Sequence, residues 1–187
     1  LQIPTGKWTN LASDSGMPTL TNSANNVGIE FVFKFNSLIN GQIALSLDSS
    51  INNMIVFLRY FASNNILYVY SGNLGKAQIR LPTGMTLDDW VHVFFTTNQG
   101  GYYIYINGTE ITNVNWGDIT NKGSFSFNHF THLRSGRDYW GTMRSDVQIK
   151  YIAFYESSES MHSSFGAERH SVYESSFYPS PSSPPSP

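Results

Sequence analysis

The sequence predicts an all-β protein, an antiparallel β-sandwich or barrel. Apolar residues alternate with period two in segment after segment, and almost nothing repeats at the helical period of 3.6. Turn-forming clusters separate these segments at a spacing of roughly 8–12 residues, as in sandwiches and barrels. With 187 residues, 40% of them hydrophobic, plus 13 Phe, 11 Tyr and 4 Trp, one domain can bury a core unaided by metal or disulfide.

The strands follow in order. In the run Val27 to Phe35, Ile29, Phe31, Phe33 and Phe35 point one way while Gly28, Glu30 and Lys34 point the other, which makes a half-buried strand. Similar runs are Gln42 to Leu47, Asn53 to Phe61, Ile66 to Tyr70, Lys76 to Leu81, Trp90 to Thr96, Tyr102 to Ile106, Gly123 to Phe130 and Val147 to Tyr155. Between them lie turn clusters such as Asn40-Gly41, Asn64-Asn65, Gly72-Asn73 and Gly100-Gly101. Asn107-Gly108 is the firmest hairpin signal, since both residue types tolerate the positive φ of a two-residue turn. The domain is expected to occupy residues 1 to 156. Residues 157 to 178 form a Ser/Glu-rich helix or strap that packs Phe165, Tyr173 and Phe177 back on the sandwich. Residues 179 to 187, rich in Pro and Ser, read as an extended linker. A start at Leu1, without a signal-peptide pattern, is expected of a piece of a longer polypeptide with flanking domains.

Charge and composition narrow the function classes. Charged residues make up 13% of the chain and the net charge is -2, with no run of either sign. A protein that binds nucleic acid by neutralising phosphates would carry a basic footprint, so that class is disfavoured. No segment approaches the roughly 18 uninterrupted apolar residues of a membrane span, and no insertion in a membrane is expected. The absence of cysteine excludes disulfides, cysteine-ligated zinc and thiol catalysis.

Two segments resemble the concanavalin A-like superfamily, in particular its laminin-G-like members. The first runs from Trp90-Val91-His92-Val93 through Gly100-Gly101 to Tyr105-Ile106-Asn107-Gly108, and is similar to the family's W-x-H-V … Y-x-N-G hairpin. The second comprises Leu133-Arg134-Ser135-Gly136, Trp140-Gly141 and Asp146-Val147-Gln148-Ile149 to Tyr155, and is similar to the family's closing strands. Arg134-Ser135 stands where an apolar residue is usual. The resemblance implies a concanavalin A-like jelly roll of two curved sheets, whose members bind glycans or proteins or cleave polysaccharides. Fold alone does not choose among these.

The chemistry-bearing residues favour recognition. A retaining glucanase needs two carboxylates about 5 to 5.5 Å apart on one sugar-facing surface. No strand here carries them: Asp88 and Asp89 are adjacent, and Glu110, Asp118, Asp138 and Asp146 are scattered. A polysaccharide lyase would instead use Arg, Gln or Asn to neutralise a uronate, with His or Tyr to move protons. Its candidates here are Arg80, His132 and Tyr105; Gln78-Ile79-Arg80 resembles the Q-I-H strand motif of jelly-roll alginate lyases, with the histidine missing. His92, flanked on its face by Trp90 and Phe94, reads as a structural histidine packed beside an aromatic. His129 and His132 with Asp138 lack a further clear metal ligand. Calcium would suit oxygen ligands such as Asp48, Asn53 or Asp118, but no Asp-rich loop stands out, so no cofactor is assigned.

Tyrosines carry more weight. Tyr68 and Tyr70 must share a face, as must Tyr103 and Tyr105, so each strand displays two phenol rings on one side. Such rings stack on sugars while neighbouring Arg, Asn and Gln pair with hydroxyls. The expected ligand-binding set is Arg59, Tyr68, Tyr70, Gln78, Arg80, Tyr103, Tyr105, His132, Arg134 and Trp140. Trp116 and Tyr139 are further rim candidates, and Asn107, in the sole Asn-x-Ser/Thr sequon, is a glycosylation acceptor. The Ser-Pro tail is similar to segments of algal cell-wall proteins and to linkers in proteins of large algal viruses. The expectation is a noncatalytic carbohydrate-recognition or adhesion module of an extracellular or virion-surface protein, binding a cell-wall or cell-surface glycan. The alternatives are a lyase acting on an acidic wall polysaccharide and a structural protein-interaction domain.

Overall fold

A computed structural model describes residues 2–3, 9–13, 26–38, 40–49, 54–71, 75–81, 87, 89–98, 101–112, 114–115, 130–135, 146–157 and 164–177. Among these residues there are thirteen strands and one helix: β1 (Gln2–Ile3), β2 (Thr9–Ser13), β3 (Asn26–Phe35), β4 (Gln42–Ser49), β5 (Met54–Phe61), β6 (Ile66–Ser71), β7 (Gly75–Arg80), β8 (Val91–Asn98), β9 (Gly101–Ile106), β10 (Thr109–Glu110), β11 (Val114–Asn115), β12 (Phe130–Ser135), β13 (Val147–Ser157) and α1 (Ser164–Phe177). The first sheet has the order β1-β13-β3-β8-β9-β10 and the second β11-β7-β6-β5-β4-β12-β2. All described pairings are antiparallel.

Period-two alternation builds the core between the sheets. Ile29, Phe31, Phe33 and Phe35 all turn inward from β3 and are buried. They meet Leu45, Leu58, Tyr60, Leu67 and Ile79 of the second sheet in one cluster. Phe31 and Phe33 stack at 5.0 Å, and Phe35 stacks on Tyr60 at 5.9 Å across the sandwich. Each of these phenylalanines contributes about 1.5–3 kcal/mol by leaving water.

Local chemistry fixes the joints. Asn107 (φ 49°) and Gly108 (φ 74°) form the expected two-residue turn, with Ile106 opposite Thr109. The Asn107 Oδ1 accepts the His92 amide at 2.9 Å, tying the turn to β8. In β4 the register with β5 shifts between Ile43 and Leu45, and the Ser135 hydroxyl donates to the Ala44 carbonyl at 2.6 Å, satisfying a buried acceptor at this irregularity.

Two expectations change, and one lies mostly outside the described residues. Only Phe130 of the expected Gly123–Phe130 strand lies in the described residues, where it begins β12; residues 123–129 lie outside them. Strands β1 and β2 carry too short a pattern to be found by alternation. Most consequential, Glu30 on the outer face of β3 is not in solvent: it is fully buried, with α1 packed over the neighbouring strands β8, β9 and β10. Helix α1 lies within the 157–178 segment; Phe165 packs against Phe94 and Tyr105, Tyr173 stacks on His92, and the Phe177 side chain is outside the described set.

Candidate functional site

The two sheets treat their outer faces differently. On the first, α1 seals a polar cluster centred on Glu30. The Glu30 carboxylate accepts His92 Nε2 at 2.8 Å, Arg169 Nη2 at 3.0 Å and Nε at 3.1 Å, and a hydrogen bond from the Tyr155 hydroxyl. Tyr155 in turn lies 3.2 Å from the Tyr151 hydroxyl. A carboxylate only accepts, so His92 Nε2 carries the hydrogen. Burial pushes the Glu30 pKa up, but the hydrogen bonds from His92 and Tyr155 and the charges of Arg169 and His92 outweigh it and hold the carboxyl below its ordinary range. Burial, reinforced by Glu30 and Tyr151, pushes the Tyr155 phenol far above its ordinary range, so it remains a donor. His92 stacks on Tyr173 at 5.3 Å and 7°, which is the structural role its flanking aromatics implied. This assembly is a clasp between helix and sheet, with the Glu30 side chain fully buried inside it.

Tyr103 and Tyr105 belong to this sealed side. Tyr105 is 2% exposed, packed with Phe94 and Phe165 beneath the helix, and Tyr103 is half-buried beside them. The expectation that these rings join Tyr68 and Tyr70 in one ligand-binding set is therefore corrected: the two pairs lie on different sheets, and the core separates them. The same geometry undoes Arg80, His132 and Tyr105 as a catalytic set. Arg80 is on β7, and Tyr105 faces outward from the opposite sheet. His132 is on β12, four strand positions from β7, or roughly 19 Å at the usual interstrand spacing.

The second sheet brings the remaining candidates together. Its register aligns Arg59, Tyr68, Gln78 and Asn115 in one row across β5, β6, β7 and β11. A neighbouring row runs Arg134, Ser46, Phe57, Tyr70 and Lys76, and a third runs Phe61, Ile66 and Arg80. These positions alternate with the core residues Leu58, Leu67 and Ile79, and so lie on the opposite parity of the sheet, where Ser46 and Ile66 are themselves buried. Arg59, Phe61, Tyr68 and Gln78 are half-buried, and Arg80 is exposed. The Phe61 ring sits at the middle: the Arg59 guanidinium lies over it at 5.0 Å, and Tyr68 meets it edge-on at 5.1 Å and 69°. Arg59 Nε is buried without a hydrogen-bond partner among the described residues.

Sequence reasoning missed Phe61, although it lies on the parity of Arg59; Lys76 holds a register position on the parity of Gln78, with its side chain outside the described set. His132 holds a register position opposite Asp48, with side chains outside the described set, as are those of Tyr70 and Arg134. Trp116, His129, Asp138, Tyr139, Trp140, Asn53 and Asp118 lie outside the described residues. Asn107 is exposed at its hairpin tip.

The chain belongs to the Concanavalin A-like lectin/glucanases superfamily, whose laminin-G-type model matches residues 6–162. No curated relative matches the sequence. Among solved structures it is similar to the Ruminococcus gnavus IT-sialidase CBM40 bound to alpha2,3 sialyllactose, with a TM-score of 0.63, 13% identity, and 92% of this chain and 95% of that one covered. It is also similar to Trypanosoma rangeli sialidase, with a TM-score of 0.55, 16% identity, and 80% of this chain covered. The chain spans 23% of that sialidase's length. A third similar structure, a Bacteroides ovatus protein described as carbohydrate-binding, has a TM-score of 0.53 and 16% identity, with 83% of this chain and 44% of that one covered. These likenesses concern the fold.

Proposed function

We propose that this chain is a noncatalytic carbohydrate-recognition module, and that its binding face is the outer face of the second sheet. The observation that carries the reading is the aligned row Arg59, Tyr68 and Gln78, with Arg80 beside it. An aromatic ring flanked by guanidinium and carboxamide donors is what a sugar's apolar face and hydroxyls require. The helix packed over β8, β9 and β10 of the first sheet supports the same choice of face. Fold similarity to a sialidase module bound to a sialylated trisaccharide-type ligand adds support, since that module is matched over nearly its whole length. The dispersal of Arg80, His132 and Tyr105 weighs against a lyase. The composition of the Pro/Ser tail favours a setting in a larger extracellular or virion-surface protein, acting on a cell-wall or cell-surface glycan.

A glycan array tests the reading. The intact chain should retain a defined glycan class, and Tyr68→Ala should lose about tenfold in affinity, or about 1.4 kcal/mol, while still folding cooperatively. Binding unaffected by Tyr68→Ala, or no glycan retained at millimolar ligand, contradicts it.

A further inference from the structure

We infer that the glycan bound by this face is anionic and carries carboxylates, as uronates and sialic acids do; this rests on the carbohydrate-binding reading above and specifies its ligand. The strands of the second sheet hold four basic residues, Arg59, Lys76, Arg80 and Arg134, against one acidic residue, Asp48. The strands of the first sheet hold Lys34 and Lys150 against Glu30, Glu110 and Glu156. A chain of net charge -2 has therefore concentrated positive charge on one sheet.

Register sharpens the asymmetry. Lys76, Gln78 and Arg80 share one parity on β7, Arg59 is aligned with Gln78 through Tyr68, and Arg134 ends the row that begins at Lys76. All four cations thus hold register positions on one parity of the sheet, across roughly 19 Å of strands. Among the described residues neither Arg59 nor Arg80 pairs with a carboxylate, whereas Arg169 and His92 on the other side are both committed to Glu30. Like charges gathered on one face repel, and a neutral sugar would do nothing to relieve that. A carboxylated chain would, and the planar fork of Arg matches a carboxylate with two parallel hydrogen bonds. Tyr68 then supplies the ring for the sugar's apolar face, so cation and aromatic act on the same ligand.

The test uses the full chain with two matched pairs: oligogalacturonate against its carboxyl-reduced neutral counterpart, and alpha2,3 sialyllactose against lactose, each titrated at 50 and 300 mM salt. At least one acidic member should bind tenfold or more tightly than its neutral partner and weaken with salt. Arg80→Gln, an exposed site whose substitution leaves folding intact, should narrow that preference severalfold, while Arg80→Lys should retain part of it. Equal binding of acidic and neutral members overturns this inference and leaves the carbohydrate reading standing. Binding to sulfated dextran but to neither carboxylated ligand overturns the carboxylate assignment. No binding to any sugar removes both readings.

Discussion

Gly166 of α1 lies directly on the ring of Tyr105: a Cβ at position 166 would come within 2.4 Å of two ring atoms. Tyr105 is buried and cannot swing away, so the contact sets how closely the helix approaches β9. An exposed helical Gly→Ala change ordinarily stabilises by about 0.5–1 kcal/mol. Here Gly166→Ala should instead destabilise by about 1–3 kcal/mol through overpacking, lowering Tm by several degrees. Ser171→Ala, exposed on the same helix, should be neutral or slightly stabilising. Thermal denaturation of the two variants checks the sign.

Removing Glu30 should cost more. Its carboxylate is the shared acceptor of His92, Tyr155 and Arg169. Glu30→Ala leaves three donors under the helix without it, and loss of one partner of a buried ion pair typically costs about 3–5 kcal/mol. Urea unfolding of Glu30→Ala should show a loss of unfolding free energy of that size, and a change below 1 kcal/mol would mean that the clasp carries little stability.

Acid should loosen the same clasp in two stages. Burial foremost, then the neighbouring His92, holds His170 below its ordinary 6.5 despite Glu174. The folded chain therefore takes up this proton less readily than the unfolded chain, and stability starts to fall as the pH drops through 6.5. Glu30 is held below 4.5, so its contribution is full above 4.5 and disappears as the pH falls further, through its lowered folded value. Tm measured from pH 8 to pH 3 should fall in both windows. His170→Phe should remove the upper step and leave the lower one.

The hairpin offers a backbone test. Gly108 has φ 74°, and a Cβ there would stand 2.8 Å from the His170 ring. Gly108→Ala meets both penalties and should destabilise by about 1–3 kcal/mol. Asn107→Gly keeps the turn but removes the oxygen that accepts the His92 amide, and should cost about 0.5–1.5 kcal/mol. Chemical denaturation of both variants checks the order.

Much of this architecture is legible in the sequence because alternation reports burial directly. Ile29, Phe31, Phe33 and Phe35 announce their inward face, and Asn107-Gly108 announces its turn. Alternation also groups Arg59 with Phe61, and Tyr68 with Tyr70, on one side of a strand. What period two cannot supply is the identity of whatever lies against the other side. Tyr103 and Tyr105 satisfy the same rule as Tyr68 and Tyr70, yet one pair sits under a helix that follows β13 in the chain. Glu30 reads as a solvent residue for the same reason: only the approach of Arg169 and Tyr155 turns that position into a buried one. The cross-strand rows were equally hidden, since pairing register depends on turns and irregularities such as that at Ala44.

The most direct test of the two-faced account is to map a bound glycan on the intact chain by backbone amide chemical-shift perturbation, using whichever ligand the array selects. Perturbations should concentrate on β5, β6 and β7 around Arg59, Tyr68, Gln78 and Arg80, leaving β8, β9 and α1 unmoved. Perturbations centred on Tyr105, Glu30 and the helix, with the second sheet silent, would contradict it.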